Sequence, residues 1–204
     1  MNQKTLYKLS GILSILAGIL YILIQIIHPD ETLEMVNSQQ FFIVGVLTMI
    51  MAIFSIIGLL GAYLLQVKET KYLGHIGLIL FSTFWLITFA FSFFESFTLP
   101  LLSDKNPEFV LGILTLFSNE PSTVDLGVFP LLANISGIIY ILGGLSFGFA
   151  LFKAKVFHPS VGLLLALASL LTILAGILGH PLYRILAIPM GLALIWMGSF
   201  SYQR

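Results

Sequence analysis

Long uncharged runs decide what this chain can be. Residues 39–66, "QQFFIVGVLTMIMAIFSIIGLLGAYLLQ", pass without one charged side chain, and "SVGLLLALASLLTILAGILG" at 160–179 does the same. A run of about 20 apolar residues is the length a helix needs to cross the roughly 30 Å hydrocarbon core of a bilayer. In lipid every backbone polar group must be satisfied within the protein, which leaves helices or closed barrels. Barrel strands would alternate over about 10 residues instead of running continuously. Composition agrees: 58% of the 204 residues are hydrophobic, 9% are charged and mean hydropathy is +1.06, whereas soluble domains carry about 25% charge. The expected fold class is an all-α integral membrane protein, a single domain over 1–204 whose necessary partner is the lipid bilayer.

Six spans are expected, over about 8–27, 39–66, 73–99, 129–152, 160–179 and 182–201. The first has Lys4 and Lys8 ahead of it like a secretory signal, but no small-residue cleavage site precedes "HPDE", so it is read as retained. With the N-terminus inside, seven basic residues (Lys4, Lys8, Lys68, Lys71, Lys153, Lys155, Arg204) fall on the inner face and two, Lys105 and Arg184, outside. Of nine acidic residues only Glu69 falls inside. Both distributions predict N-in and C-in topology in a bacterial-type plasma membrane.

In the long outer loop, residues 107–118 read as a short helix with Asn106 as cap, Pro107 in its first turn and Pro121 beyond its end. It is too short to cross, so it either lies in the interface or folds as a lid over the outer mouth. "LSGILSILAGI" at 9–19 echoes "ISGIIYILGGL" at 135–145, the pattern of an inverted 3+3 repeat or of shared composition.

Cysteine is absent, which excludes disulfides, thiolate catalysis and cysteine-ligated metals. Polar groups within apolar helices are costly and mark candidate sites. Gly11, Ser14, Gly18, Tyr21, Gln25 and His28 share a face of the first span. His75, Ser82, Trp85, Thr88, Ser92 and Glu95 form a stripe down the third. The fourth contributes Asn134 near its outer end, and "GHPLYR" between the last two spans contributes His180 and Arg184. On the expected topology Tyr21, Gln25, His28, Ser92, Glu95, Asn134, His180 and Arg184 lie in the outer third, as an outward-facing polar pocket for a small solute or ion. Each also has a plain structural role open to it: histidines among headgroups, Arg184 reaching phosphates or pairing with Glu95, Asn134 bonding between helices.

Other chemistries compete for the same residues. His28, Glu95 and His180 could hold a zinc ion with one open position, making a metal-dependent intramembrane enzyme, though no local "HExxH" spacing exists. Haem would need the histidine pairs His28 with His180 and His75 with His158, all of which fall at helix ends. No other cofactor is expected. Nothing resembles a hydrolase nucleophile elbow, a phosphate loop or a nucleic-acid patch. A non-catalytic interaction protein needs no polar site at all, and the sequence specifies no protein partner.

The polar-ended first span, the lysine-bearing turn in "LLQVKETKYLGHIGLIL" and the segment "LFKAKVFHPSVGLLLAL" before a final hairpin resemble the small six-helix bacterial membrane proteins grouped as a domain of unknown function. Members of that family often carry tryptophan or Ile-Pro where this chain has Phe157-His158-Pro159. The resemblance implies fold and membrane location over nearly the whole chain, and no activity.

Overall fold

The computed structural model describes residues 2–116, 122–174, 178 and 182–204. All regular structure among them is helical: α1 (Gln3–Ile27), α2 (Leu33–Val36), α3 (Gln39–Phe97), α4 (Leu99–Leu102), α5 (Pro107–Leu114), α6 (Phe129–Ala154), α7 (Pro159–Leu171) and α8 (Ala187–Tyr202). Local chemistry sets their starts. Asn2 Oδ1 accepts from Lys4 N at 3.1 Å and Ser38 Oγ from Phe41 N at 3.1 Å, while α4 to α7 each carry proline in the first turn. Asn106 stands at the cap position of α5 but makes no side-chain cap bond, and α5 ends at Leu114, short of the expected 118.

Four helical stretches are long and apolar enough to cross a membrane: Gln3–Ile27, Gln39–Phe97, Phe129–Ala154 and Arg184–Tyr202; Pro159–Leu174 is a shorter apolar helix. The expected spans 39–66 and 73–99 fall in α3, the second running two residues past its end at Phe97; this helix of 59 residues is broken only at Lys71, whose φ of 48° and ψ of −149° are non-helical. The two arms double back on each other there. Tyr63 meets His75 edge-on at 5.2 Å, and at the far ends Ser96 fills the space a Cβ at Gly45 would need.

Close backbone approaches define the remaining neighbours. A Cβ built on Gly11 would sit 2.6 Å from Tyr202 N, and one on Gly18 would sit 2.3 Å from Gly191 O. The reversed order makes α1 and α8 antiparallel, and between these crossings Ser14 Oγ donates to Leu194 O at 2.8 Å. Gly77 against Phe147 and Gly143 against Phe81 pair the second arm of α3 with α6, and Gly148 against Gly162 pairs α6 with α7. The first arm of α3 lies on α1, where Gly58 faces Ser14. Neighbours in sequence are thus neighbours in space, and α8 returns to α1, closing the bundle. Small residues at crossings are what packing in lipid favours, because apolar surface gains nothing by leaving lipid tails for a helix.

The outer surface agrees. On α1, Leu9, Ile12, Leu16, Ile19, Leu23 and Ile26 are exposed, while Ser10, Ser14, Ala17 and Gly18 are buried. An apolar stripe outside and small or hydroxylic residues inside invert the soluble pattern, so this is a membrane protein. The bundle has two chemically distinct ends. One holds Lys4, Lys8, Lys68, Lys71, Lys153 and Arg204, with Lys8 5.7 Å from the Tyr202 ring. The other holds Asp30, Glu31, Glu34, Asp104, Glu108 and Asp125. At the acidic end α2, α4 and α5 build a second small core around Val36, Leu99, Val110 and Ile113.

The 9–19 and 135–145 segments do not make equivalent contacts. Gly11 is wedged against α8, whereas its counterpart Gly137 has no atom within 4 Å of where its Cβ would be. Gly18 packs on α8, but its counterpart Gly144 packs on Ser169 of α7, which is not the position an inverted repeat would give.

Candidate functional site

The half of the bundle nearer the acidic end is hollow. One cavity, about 410 Å³, lies among α1, the second arm of α3, α6 and the end of α7, with Tyr21, Ser92, Glu95, Ser136, Tyr140 and Thr172 on its walls. A second, about 250 Å³, lies between α1 and both arms of α3, lined by Gln25, His28, Glu31, Thr48, Trp85 and Ser96 among others. Tyr21, Phe84, Thr88, Ser92 and Glu95 belong to both, so the two spaces adjoin around a single partly buried carboxyl. Leu114, the last residue of α5, reaches the second cavity, so the loop helix packs over this end.

An aromatic layer forms the floor. Phe81 and Trp85 are fully buried and 5.9 Å apart, and Tyr140 lies 5.6 Å from Phe81. Beneath that layer Gly77, Gly143 and Gly148 bring the helices into backbone contact. The second arm of α3 and α6 touch at these glycines and stand apart nearer the acidic end, where Ser92, Glu95 and Tyr140 line the space between them.

Two buried polar atoms on the wall of the second cavity have no hydrogen-bond partner, Trp85 Nε1 and Ser96 Oγ. The Tyr140 hydroxyl, on the wall of the first, lies against that of Tyr21. A buried donor left unpaired costs about 1–3 kcal/mol; Ser55, Gln66 and Thr70 carry such atoms elsewhere in the bundle, and among the described residues only Trp85 and Ser96 combine one with an adjoining cavity and a carboxyl.

Of the residues singled out in sequence, Tyr21, Gln25, His28, Ser92 and Glu95 are brought together on these walls. Asn134 is not: it points to the exposed side of α6, and its neighbours Ala133 and Ser136 face the cavity instead. Arg184 lines neither cavity. Its guanidinium donates to His28 O at 3.1 Å and to Pro29 O at 3.3 Å, with His28 Nδ1 at 3.2 Å, so it caps the end of α1. Gln40 Nε2 serves Ile27 O in the same way at 2.9 Å. Among the described residues Glu95 is not an Arg184 partner. His180 lies outside the described residues, and with it the third member of the zinc set. No group of three or more His, Asp or Glu is arranged to hold a metal among the residues described. The two histidines at the basic end have local structural roles: His75 Nδ1 contacts Lys71 O at 2.6 Å at the hairpin tip, and His158 Nδ1 accepts from Ser160 N as the cap of α7.

Tyr140, Ser136, Phe84 and Ser96 were missed as site residues, and Trp85 and Thr88 were seen only as part of a stripe. A signal for the first two existed: Ala133, Ser136, Tyr140 and Gly144 recur at steps of three and four on α6 and define its buried face. Comparison with known proteins finds no matching family model, no matching curated protein and no matching solved structure.

Proposed function

We propose that this chain spans a bacterial-type plasma membrane six times, N-in and C-in, and that its outward-facing cavity binds and passes a small solute or ion. The six-span reading is supported by the folding of α3 into two antiparallel arms and by the apolar stretch Pro159–Leu174, which pairs with α6 and α8. Basic residues collected at one end and acidic residues at the other support the sidedness. The likeness to small six-helix bacterial membrane proteins supports the same arrangement and carries no activity.

One observation carries the binding function: unpartnered Trp85 Nε1 and Ser96 Oγ on the wall of a cavity that also presents Glu95. Cavities that open toward one end above an aromatic floor have the form of a carrier loaded from that side, with passage requiring the floor to part. The test is thermal stabilisation of purified protein by a panel of small amines, carboxylates, sugars and amides, with uptake of any hit into liposomes. Glu95→Gln and Trp85→Phe are each expected to reduce the stabilisation and the flux. Unchanged shifts and flux in both variants would overturn the reading.

A further inference from the structure

Granting that cavity as a binding site, we propose that its occupant is an organic cation, an amine or quaternary ammonium compound with a hydrogen-bond acceptor a few bonds from the charge.

The sign comes from the walls. Glu95 is shared by both cavities and Glu31 lies on the second, and no Lys or Arg is among the described residues lining either. The basic side chain closest in role, Arg184, is held on the His28 and Pro29 carbonyls at the end of α1. Two carboxyl groups with no basic side chain beside them favour a positive occupant, whose own charge holds a carboxyl ionised in a low-dielectric site.

The organic character comes from the rings. Tyr21 meets Trp85 edge-to-face at 5.7 Å, Phe84 meets Trp85 at 5.0 Å and 66°, and Phe84 meets Tyr140 at 4.6 Å and 57°. Tyr21, Phe84, Trp85 and Tyr140 thus form one cluster on the walls of the two cavities, and a ring face is the negative end of a quadrupole. An aromatic cluster beside a carboxyl suits an alkylated ammonium group, which gains cation–π attraction of about 0.5–2 kcal/mol per good contact and gives up little hydration. A bare metal ion would need a tight shell of oxygens, and among the described residues no three His, Asp or Glu side chains are grouped to begin one.

The acceptor comes from the unpaired donors. Trp85 Nε1 can only donate, Trp85 is 0% exposed, and its N–H has no partner. A cation cannot satisfy that N–H, but an oxygen on the same molecule can, with the Ser96 and Tyr140 hydroxyls able to act in either sense.

Choline and its uncharged carbon isostere 3,3-dimethylbutan-1-ol separate charge from shape. Each is titrated against detergent-solubilised full-length protein carrying Trp196→Phe, which leaves Trp85 as the sole tryptophan reporter. Tetraethylammonium, a cation without an acceptor, is the third probe. Choline is expected to change Trp85 fluorescence saturably, with the isostere at least tenfold weaker and tetraethylammonium intermediate. Glu95→Gln is expected to weaken choline about tenfold while leaving the isostere unchanged. The comparison of choline with its isostere needs no site variant, so it stands even if Glu95→Gln fails to fold. Equal binding of choline and the isostere overturns the cationic assignment and leaves the cavity as a neutral-solute site. No response to any of the three probes, together with no stabilisation by the wider panel, overturns both this proposal and the binding function on which it rests.

Discussion

Gly18 has almost no freedom to change. A Cβ there would lie 2.3 Å from the Gly191 carbonyl oxygen, a backbone atom that moves only if α8 moves. Gly18→Leu is therefore expected to destabilise the protein by about 1–3 kcal/mol or more through overpacking, seen as a lower thermal midpoint in detergent. Gly137 is the control: with no atom within 4 Å of its Cβ position, Gly137→Ala is expected to leave the midpoint unchanged or raise it slightly. Gly137 holds the place in 135–145 that Gly11, wedged against α8, holds in 9–19, so identity of local sequence did not reveal which glycine is buried. The polar residues were easier to place. Tyr21, Gln25 and His28 could be assigned to one wall because they continue the small-residue face of α1, and a helix rotates rigidly. Asn134 had no such company. It sits among residues that alternate between lipid and core within a single turn, and only the neighbouring helices decide which way it faces.

Among the elements, the hairpin in α3 was legible as a turn but not in form. Lys68, Glu69 and Lys71 mark where the chain must leave lipid, yet the reversal is concentrated on one residue rather than spread through a loop. Lys71 has a φ of 48°, a region where side chains are strained by about 1–3 kcal/mol and glycine is not. Lys71→Gly should raise the thermal midpoint, by an amount equivalent to about 1 kcal/mol after the added chain entropy of glycine is subtracted. A fall would mean that the lysine side chain holds the turn through contacts of its own. The helix α5, Pro107–Leu114, shows the opposite limit. Its proline start was readable, but its place over the acidic end comes from packing with α2 and α4, two single-turn helices whose four residues carry too little periodicity to read.

For the whole molecule, the testable quantity is sidedness. The natural lack of cysteine allows one to be placed at Lys68 or at Asp104, on opposite ends of the bundle. A membrane-impermeant maleimide added to intact cells is expected to label the cysteine at 104 and to spare the one at 68. The reverse pattern would invert the proposed orientation. Charge bias is what leads sequence to expect this arrangement, since charge is written in loops whatever the helices do. The hollow half was not readable, because emptiness arises where neighbouring helices fail to meet and no single helix encodes it.

The closing contact of the bundle also has a consequence in time. Ser14 and its hydrogen-bond acceptor Leu194 are 180 residues apart, so at about 5–20 residues per second of synthesis roughly 10–40 s pass between the emergence of one and the other. During that interval the small face of the first helix is in the bilayer without its final neighbour. Maturation of the protein thus depends on a pairing that must be deferred, and the glycine face that makes the finished bundle tight is the surface most open to wrong partners while the chain is still being made.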